Sequence, residues 1–100
     1  MALSRKYSIN LSGGYHHASS SSGAGFCIYA DITLAAKHLQ KHHNIKKILI
    51  LDLDAHQGNG YQLDFMDCPD VFIVDFYNHY IYPGDSAARK AINVDVSTTK

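Results

Sequence analysis

The spacing of apolar positions changes several times along the chain, and each change predicts a new structural element. Apolar and polar residues alternate over residues 7–11, which is typical of a short strand. From Cys27 to about His43 the spacing becomes helical. Four apolar residues share the predicted helix face: Ile28, Ile32, Ala35 and Leu39. Residues 46–54 then contain four consecutive apolar positions without polar alternation, which indicates a parallel strand buried on both faces.

The rest of the pattern completes an α/β plan. Residues 60–67 predict a helical turn that ends before Pro69, residues 71–76 predict a third strand, and residues 81–85 have the composition of a turn. The order strand, helix, strand, short helix, strand predicts an α/β fold with a parallel sheet and flanking helices. Three strands and one long helix cannot cover both faces of such a sheet. We therefore expect the 100 residues to be an incomplete part of a larger α/β domain.

Composition and charge bear on which partners and which cellular compartment can be expected. Of the 100 residues, 46% are hydrophobic, and the formal net charge is zero with the histidines neutral. The sequence has no basic stripe, so we expect no direct binding to nucleic acid through phosphate neutralisation. The two cysteines form no C-x-x-C pair and indicate free thiols in a reducing compartment. No apolar run is long enough to cross a bilayer, and residues 1–10 lack the core of a secretory signal. We expect a soluble intracellular protein.

Polar residues follow each predicted strand. Two adjacent histidines, His16 and His17, follow the first strand, the D-x-D-x-H segment 52–56 follows the second, and residues 75–78 follow the third. In open α/β sheets, ligands bind beyond the carboxyl ends of the strands, in the loops that come next. Convergence of three such loops predicts a functional site at this end of the sheet.

Each of these motifs has two interpretations when it is taken alone. Asp54 and His56 are spaced so that a carboxylate and an imidazole could reach one zinc ion at about 2 Å; the alternative is an aspartate that caps the next turn. His16 and His17 could be a general acid/base pair presented by a glycine turn, or two surface histidines in a flexible loop. A third pair, residues 42–43, ends the predicted helix among lysines and is interpreted as charge favourable at a helix C-terminus.

Four motifs together resemble the zinc-dependent histone deacetylases. They are GGYHHA at 13–18, GAGFC at 23–27, DLDAHQGNG at 52–60 and YPGD at 82–85. The resemblance extends from about Ser8 to Ala91, and the QGNG variant is most similar to the class IV branch. It implies an arginase-like α/β domain with a parallel sheet, roughly three times the length of this chain. Residues 1–100 would then be a fragment of one catalytic domain.

The resemblance assigns roles to residues of this chain. Asp54 and His56 match two of the three zinc ligands. His16 and His17 match the tandem histidines, with His17 as the general base and Asp52 as the carboxylate that orients His16. Three residues match walls of the acyl-lysine tunnel: Gly25, Phe26 and Tyr82. Asn59 stands where many relatives have an aspartate paired with the second histidine, so we expect a lower pKa for His17.

Two structural potassium sites are also implied. The first would involve Asp52, Asp54, His56, Asp75 and Phe76. The second would use carbonyl groups of Phe65, Cys68 and Val71. Asp75 stands where many relatives have serine and would add a negative charge to the first site.

The implied activity is zinc-dependent hydrolysis of acyl-lysine amides in proteins such as histone tails, in the nucleus or the cytoplasm, with a role in chromatin regulation. Acetyl-lysine is the default substrate of the family, and long-chain fatty acyl groups are an alternative in this branch. The family's third zinc ligand and its oxyanion-stabilising tyrosine have no match in these 100 residues. The alternatives are a catalytically inactive remnant that acts as a binding module, and an amidohydrolase acting on acetylated polyamines.

Overall fold

The computed structural model describes residues 1–98. Its elements in chain order are helix α1 (Ala2–Arg5), helix α2 (Asp31–His42), strand β1 (Ile48–Asp52), helix α3 (Asn59–Asp64), strand β2 (Val71–Asn78), a 3-10 turn (Ala88–Ala91) and strand β3 (Val94–Thr98). No helix in this part of the chain is long and apolar enough to span a membrane.

The three strands form one parallel sheet in the order β1-β2-β3. The register places Asp52 of β1 opposite Asp75 of β2, and Asp75 opposite Asp95 of β3. Because all three strands run in the same direction, their carboxyl ends lie at the same edge of the sheet. The predicted α/β fold with a parallel sheet is therefore confirmed.

One face of the sheet carries the hydrophobic core. Its buried members come from α2, from α3 and the residue that follows it, and from the central strand: Ala36, Tyr61, Phe65, Val71 and Ile73. Ile48 and Ile50 of β1 and Ile92 pack against this cluster. Helix α2 turns Thr33 and Ala36 inward, whereas Ala35, which the sequence pattern placed on the buried face, is exposed.

The opposite face of the sheet is exposed, and we call it the open sheet face. It presents six large apolar side chains: Leu49, Leu51, Phe72, Phe76, Val94 and Val96. Leu49 and Leu51 are 63% and 55% exposed, so the prediction that β1 is buried on both faces is wrong for residues 1–98. The helices of this part of the chain cover one face only.

Two predictions for the first third of the chain are also wrong, one of a strand and one of a helix boundary. Residues 7–11 form no strand; Ile9 and Leu11 are 81% and 97% exposed, and no described strand pairs with them. Helix α2 begins at Asp31 instead of Cys27, because residues 24–27 form a tight turn closed by backbone hydrogen bonds between Ala24 and Cys27.

The 3-10 turn and strand β3 were not predicted. Val94 and Val96 lie on the open sheet face, so this strand gives no core-facing apolar signal. Its position depends on Asn93, whose side-chain Oδ1 accepts a hydrogen bond from the Ile73 amide at 2.7 Å, while its own amide donates to the Ile73 carbonyl at 2.9 Å.

Candidate active site

The tandem histidines lie in a loop that is held by helix α2. The amides of Gly14 and Tyr15 donate hydrogen bonds of 2.6 and 2.9 Å to the Asp31 carboxylate in the first turn of that helix. From the other side, the Gly60 amide of α3 donates to the His16 carbonyl at 2.9 Å. The loop is therefore positioned by these two helices, where the sequence pattern had expected a preceding strand.

His16 forms a buried ion pair with the end of β1. Its Nδ1 lies 2.9 Å from Oδ2 of Asp52, and the Tyr61 hydroxyl donates to the same oxygen at 3.0 Å. Burial alone would lower the pKa of His16, but the hydrogen bond and charge of Asp52 raise the pKa above its ordinary value. Burial would likewise raise the pKa of Asp52, and its hydrogen bond with His16 holds it below the usual range. This pair favours a charged His16.

His17 is paired with a neutral partner. Its Nδ1 lies 2.9 Å from Oδ1 of Asn59, whose Nδ2 donates to Oδ2 of Asp85 at 3.3 Å. The contact with Asp85 fixes the orientation of the amide, so Nδ1 of His17 donates and Nε2 carries the lone pair of the neutral ring. Burial lowers the pKa of His17, and the charges of the neighbouring His16 and His56 lower it further, whereas the hydrogen bond that its Nδ1 donates to Asn59 raises it. The sequence-based expectation, that an asparagine partner gives a lower pKa than an aspartate would, stays a prediction.

Asp54 and His56 lie together beside the tandem histidines. Oδ1 of Asp54 accepts from the His56 amide at 2.7 Å and lies 3.0 Å from Nδ1 of its ring and 3.7 Å from Nε2 of His16. Burial would raise the pKa of Asp54, but these hydrogen bonds from His56 lower it.

Asp54 and His56 have part of the chemistry of a zinc site. A carboxylate and an imidazole in contact, with side chains 51% and 44% exposed, are donors of the types and accessibility that zinc takes. Among residues 1–98, no three His, Cys, Asp or Glu side chains are arranged to hold a metal ion. Asp54 and His56 therefore fit two ligands of a zinc site and do not complete it.

The predicted tunnel residues surround one cavity of about 400 Å³. Its lining consists of Gly14, His16, His17, Gly25, Phe26, Cys27, Asp54, His56 and Tyr82. The Tyr82 ring meets the His17 ring edge-on at 5.0 Å, and Phe26 stands fully exposed. Gly25 has a φ of +50°, and an added Cβ would lie 2.4 Å from Cδ2 of His17. Only glycine allows the backbone to approach the second histidine this closely.

Asp75 lies opposite Asp52 on the neighbouring strand and is completely buried. Its Oδ2 accepts hydrogen bonds from the Gly58 amide and the Gln62 side chain, whereas Oδ1 has no partner among residues 1–98. Burial, assisted by the charge of Asp52, raises the pKa of Asp75 to about 6. A buried carboxylate oxygen without a donor is the type of atom that a potassium ion would use.

A buried glutamine pair links Asp75 to the YPGD turn. Gln62 accepts from the Gln57 side chain at 2.8 Å, and Gln57 exchanges hydrogen bonds with the backbone of Asp85 at 2.9 and 3.0 Å. Sequence reasoning missed this connection, and it also missed Asp31 and Tyr61. An acidic residue in the first helical turn was the only available signal for Asp31.

The residues of the second predicted potassium site lie apart from this cavity. Phe65, Cys68 and Val71 line a separate cavity beside the turn between α3 and β2. The Phe65 and Cys68 carbonyls accept hydrogen bonds from the amides of Cys68 and Val71. Phe76, assigned to the first potassium site, has its side chain on the open sheet face.

Comparison with known proteins defines the class and then the family. The fold of this chain is shared with two solved structures. A histone deacetylase homologue solved in complex with SAHA has a TM-score of 0.77 and 31% identity over 88% of this chain and 26% of its own. The HDA15 HD domain has a TM-score of 0.68 and 36% identity over 75% of this chain and 22% of its own.

The sequence comparisons agree with the structural ones. The sequence model of the histone deacetylase domain matches residues 1–99. Histone deacetylase 2 of Arabidopsis thaliana is 44% identical over 96% of this chain and 25% of its own length. Acetoin utilization protein AcuC of Bacillus subtilis is 39% identical over 78% of this chain and 20% of its own. The chain therefore belongs to the histone deacetylase family, and it spans about a quarter of the length of these relatives.

Proposed function

We propose that the chain is part of a single class IV-like histone deacetylase catalytic domain whose complete form hydrolyses acyl-lysine amides in proteins such as histone tails. The observation that carries this proposal is the convergence of four side chains on one cavity: His16, His17, Asp54 and His56. Family membership supports deacetylase-type hydrolysis, and the QGNG variant in residues 57–60 is the feature that favours class IV.

The two histidines are electrostatically different, and this difference suits general acid/base catalysis. His17 has a lowered pKa and an unprotonated Nε2, so it can accept a proton from water. His16 has a pKa raised by Asp52, which favours its charged form, and that form can stabilise negative charge that develops on the substrate oxygen. Adjacent positions in the sequence thus supply a base and a cation to one cavity.

Asp54 and His56 are the residues that would hold zinc, together with a ligand from outside this chain. When bound, zinc supplies Lewis-acid polarisation of the amide carbonyl and activation of water. Catalytic zinc sites normally have three protein ligands. Because residues 1–98 bring only two together, we propose that the 100-residue chain alone does not hydrolyse acyl-lysine.

The walls of the cavity would position the acyl-lysine side chain. Gly25 brings the backbone against His17, and the Tyr82 ring packs edge-on against the same histidine. Phe26 is exposed at the cavity and could contact the apolar stem of a lysine. The buried Asp75, whose Oδ1 has no partner among residues 1–98, would bind a structural potassium ion.

The test uses the complete protein with His17→Ala. We expect deacylation to be lost while zinc content is unchanged, because His17 acts on water and is not a metal ligand. His79→Ala is the matched control, since His79 is exposed and does not line the cavity. Retained turnover in His17→Ala, or equal loss in both variants, would refute the assignment of the base.

A panel of substrates separates the remaining alternatives. Acetyl-lysine and fatty-acyl-lysine peptides test the proposed activity, and acetylated polyamines test the small-amine alternative. A completed protein that binds zinc at Asp54 and His56 but hydrolyses none of these substrates would favour the inactive binding module.

A further inference from the structure

Three histidines meet at the C-terminal end of helix α2, and none of them lines the candidate active site. His38 and His42 have ring centroids 4.8 Å apart, and the His38 and His43 rings are separated by 5.1 Å. The Nε2 atoms of His38 and His43 are 3.3 Å apart. All three side chains are exposed. The cluster is therefore an accessible group of imidazoles that the acyl-lysine chemistry does not use.

The end of the helix explains this arrangement. His38 and His42 are four residues apart, so they lie on the same helix face. His43 is the C-cap residue, and Asn44 follows with a φ of +53°. The amides of His43 and Ile45 both donate to the Leu39 carbonyl, at 3.1 and 3.3 Å. This closed turn reverses the chain and holds the His43 ring beside His38.

We propose that His38 and His43, with His42 as a third ligand, form a second metal site that takes a late first-row divalent ion such as Zn²⁺ or Ni²⁺. Two nitrogens that bind one zinc ion at about 2.0–2.1 Å with tetrahedral geometry are about 3.3–3.4 Å apart. The separation of the two Nε2 atoms, 3.3 Å, has this value.

His42 completes the set by a change of side-chain rotamer. Histidines at i and i+4 of a helix are a recurrent metal-binding pair, and the exposed His42 side chain is free to rotate. The cluster as it stands has two nitrogens in place, which agrees with the absence of a preformed three-ligand group in residues 1–98. Binding of the ion would supply the free energy that orders the third ring.

The surroundings select the class of ion. No carboxylate among residues 1–98 lies within ion-pair distance of these histidines. Calcium and magnesium require oxygen ligands, whereas imidazole suits zinc, nickel and copper. Lys37 and Lys41 line the adjacent groove and oppose any cation, but the negative end of the α2 dipole favours one. The affinity must therefore come from the bonds between the ion and the histidine ring nitrogens, which again favours the late transition metals.

The test is titration of the 100-residue chain with Zn²⁺ alone and with Ni²⁺ alone. It is made in an Asp54→Ala/His56→Ala background, so that binding at the candidate active site cannot contribute. We expect one ion per chain by calorimetry, together with shifts of the His38 and His43 ring signals in NMR spectra. His38→Gln and His43→Gln should each weaken binding at least tenfold, and His42→Gln should weaken it less.

His79→Gln is the matched control, because it removes an exposed histidine outside the cluster and should leave binding unchanged. Circular dichroism shows whether each variant keeps its helix, since glutamine is a good helix former at these exposed positions. Absence of stoichiometric binding in the background protein would overturn the proposal. Binding that is insensitive to both His38→Gln and His43→Gln would do so as well. Neither result would bear on the proposed deacylase function, because the Asp54→Ala/His56→Ala background already lacks the two proposed zinc ligands of the candidate active site.

Discussion

Replacing Asp75 with asparagine removes a negative charge from the interior of the protein. Asp75 is fully buried, and its Oδ1 has no partner among residues 1–98. Burial raises its pKa from 3.8 to about 6, so the folded protein holds this proton more tightly than the unfolded chain does. The corresponding stability is fully present below pH 3.8 and is lost as the pH rises through about 6.

The size of the destabilisation by ionised Asp75 follows from the shift of its pKa. Each pKa unit corresponds to about 1.4 kcal/mol, so a shift of about two units makes ionised Asp75 destabilising by about 3 kcal/mol above pH 6. The amide introduced by Asp75→Asn would keep an oxygen for Gly58 and Gln62, but its NH₂ group would meet no acceptor at the Oδ1 position. That penalty, about 1–3 kcal/mol, does not depend on pH. The effect of the charge is therefore identified by the pH dependence of the difference in the free energy of unfolding between Asp75→Asn and the unsubstituted protein.

Urea denaturation of both proteins between pH 4 and pH 7.5 measures this difference. In sodium buffer, the free energy of unfolding of Asp75→Asn minus that of the unsubstituted protein should rise by about 2–2.5 kcal/mol over this range, because a small part of the full effect is already present at pH 4. Potassium in place of sodium should stabilise only the unsubstituted protein, because its carboxylate can bind the ion. A difference that is flat across the pH range would refute the reasoning, and an equal response to potassium would remove Asp75 from the cation site.

Two further predictions concern the neighbours of the tandem histidines. Asn59→Asp places a carboxylate 2.9 Å from Nδ1 of His17 and should raise the pKa of His17 by about 1–2 units, measured by NMR titration of the ring; an unchanged or lower pKa would contradict the pairing. Gly60→Ala would place a Cβ 2.3 Å from the Ala18 carbonyl oxygen, so we expect destabilisation by about 2 kcal/mol or more in urea denaturation. Gly84→Asn, at a left-handed position with open space around it, is the control, and equal losses in both variants would contradict the close approach.

The central elements could be predicted because their apolar positions face a core. Residues 48–52 and 71–78 form neighbouring parallel strands whose inward positions include Ile50 and Ile73. Parallel strands have their carboxyl ends at the same edge of a sheet. Once these strands were identified, Asp52 and Asp75 could therefore be placed at the same end. The location of the candidate site therefore followed from local pattern and one general property of parallel sheets.

The remaining elements depend on partners that are distant in the sequence. Residues 7–11 and 94–96 both alternate apolar and polar positions, yet only the second segment is a strand. The difference is that Asn93 and β2 supply hydrogen bonds to one segment, and no described strand supplies them to the other. Asp31 is similar, because its role is to bind amides 16 and 17 residues away. The pattern of apolar and polar residues in one sequence does not indicate which distant segments form hydrogen bonds with each other.

The open sheet face has a consequence for handling the chain in solution. The sheet order makes β1 and β3 the two edges of the described sheet, so unpaired backbone groups adjoin the exposed apolar surface. Globular proteins normally cover, charge or shorten such edges, since an uncovered edge is a template for pairing with another chain. An apolar face bordered by two such edges should make the isolated chain self-associate as its concentration rises. Its solubility, measured by light scattering, is then governed by Leu49, Leu51 and Phe72 rather than by its net charge.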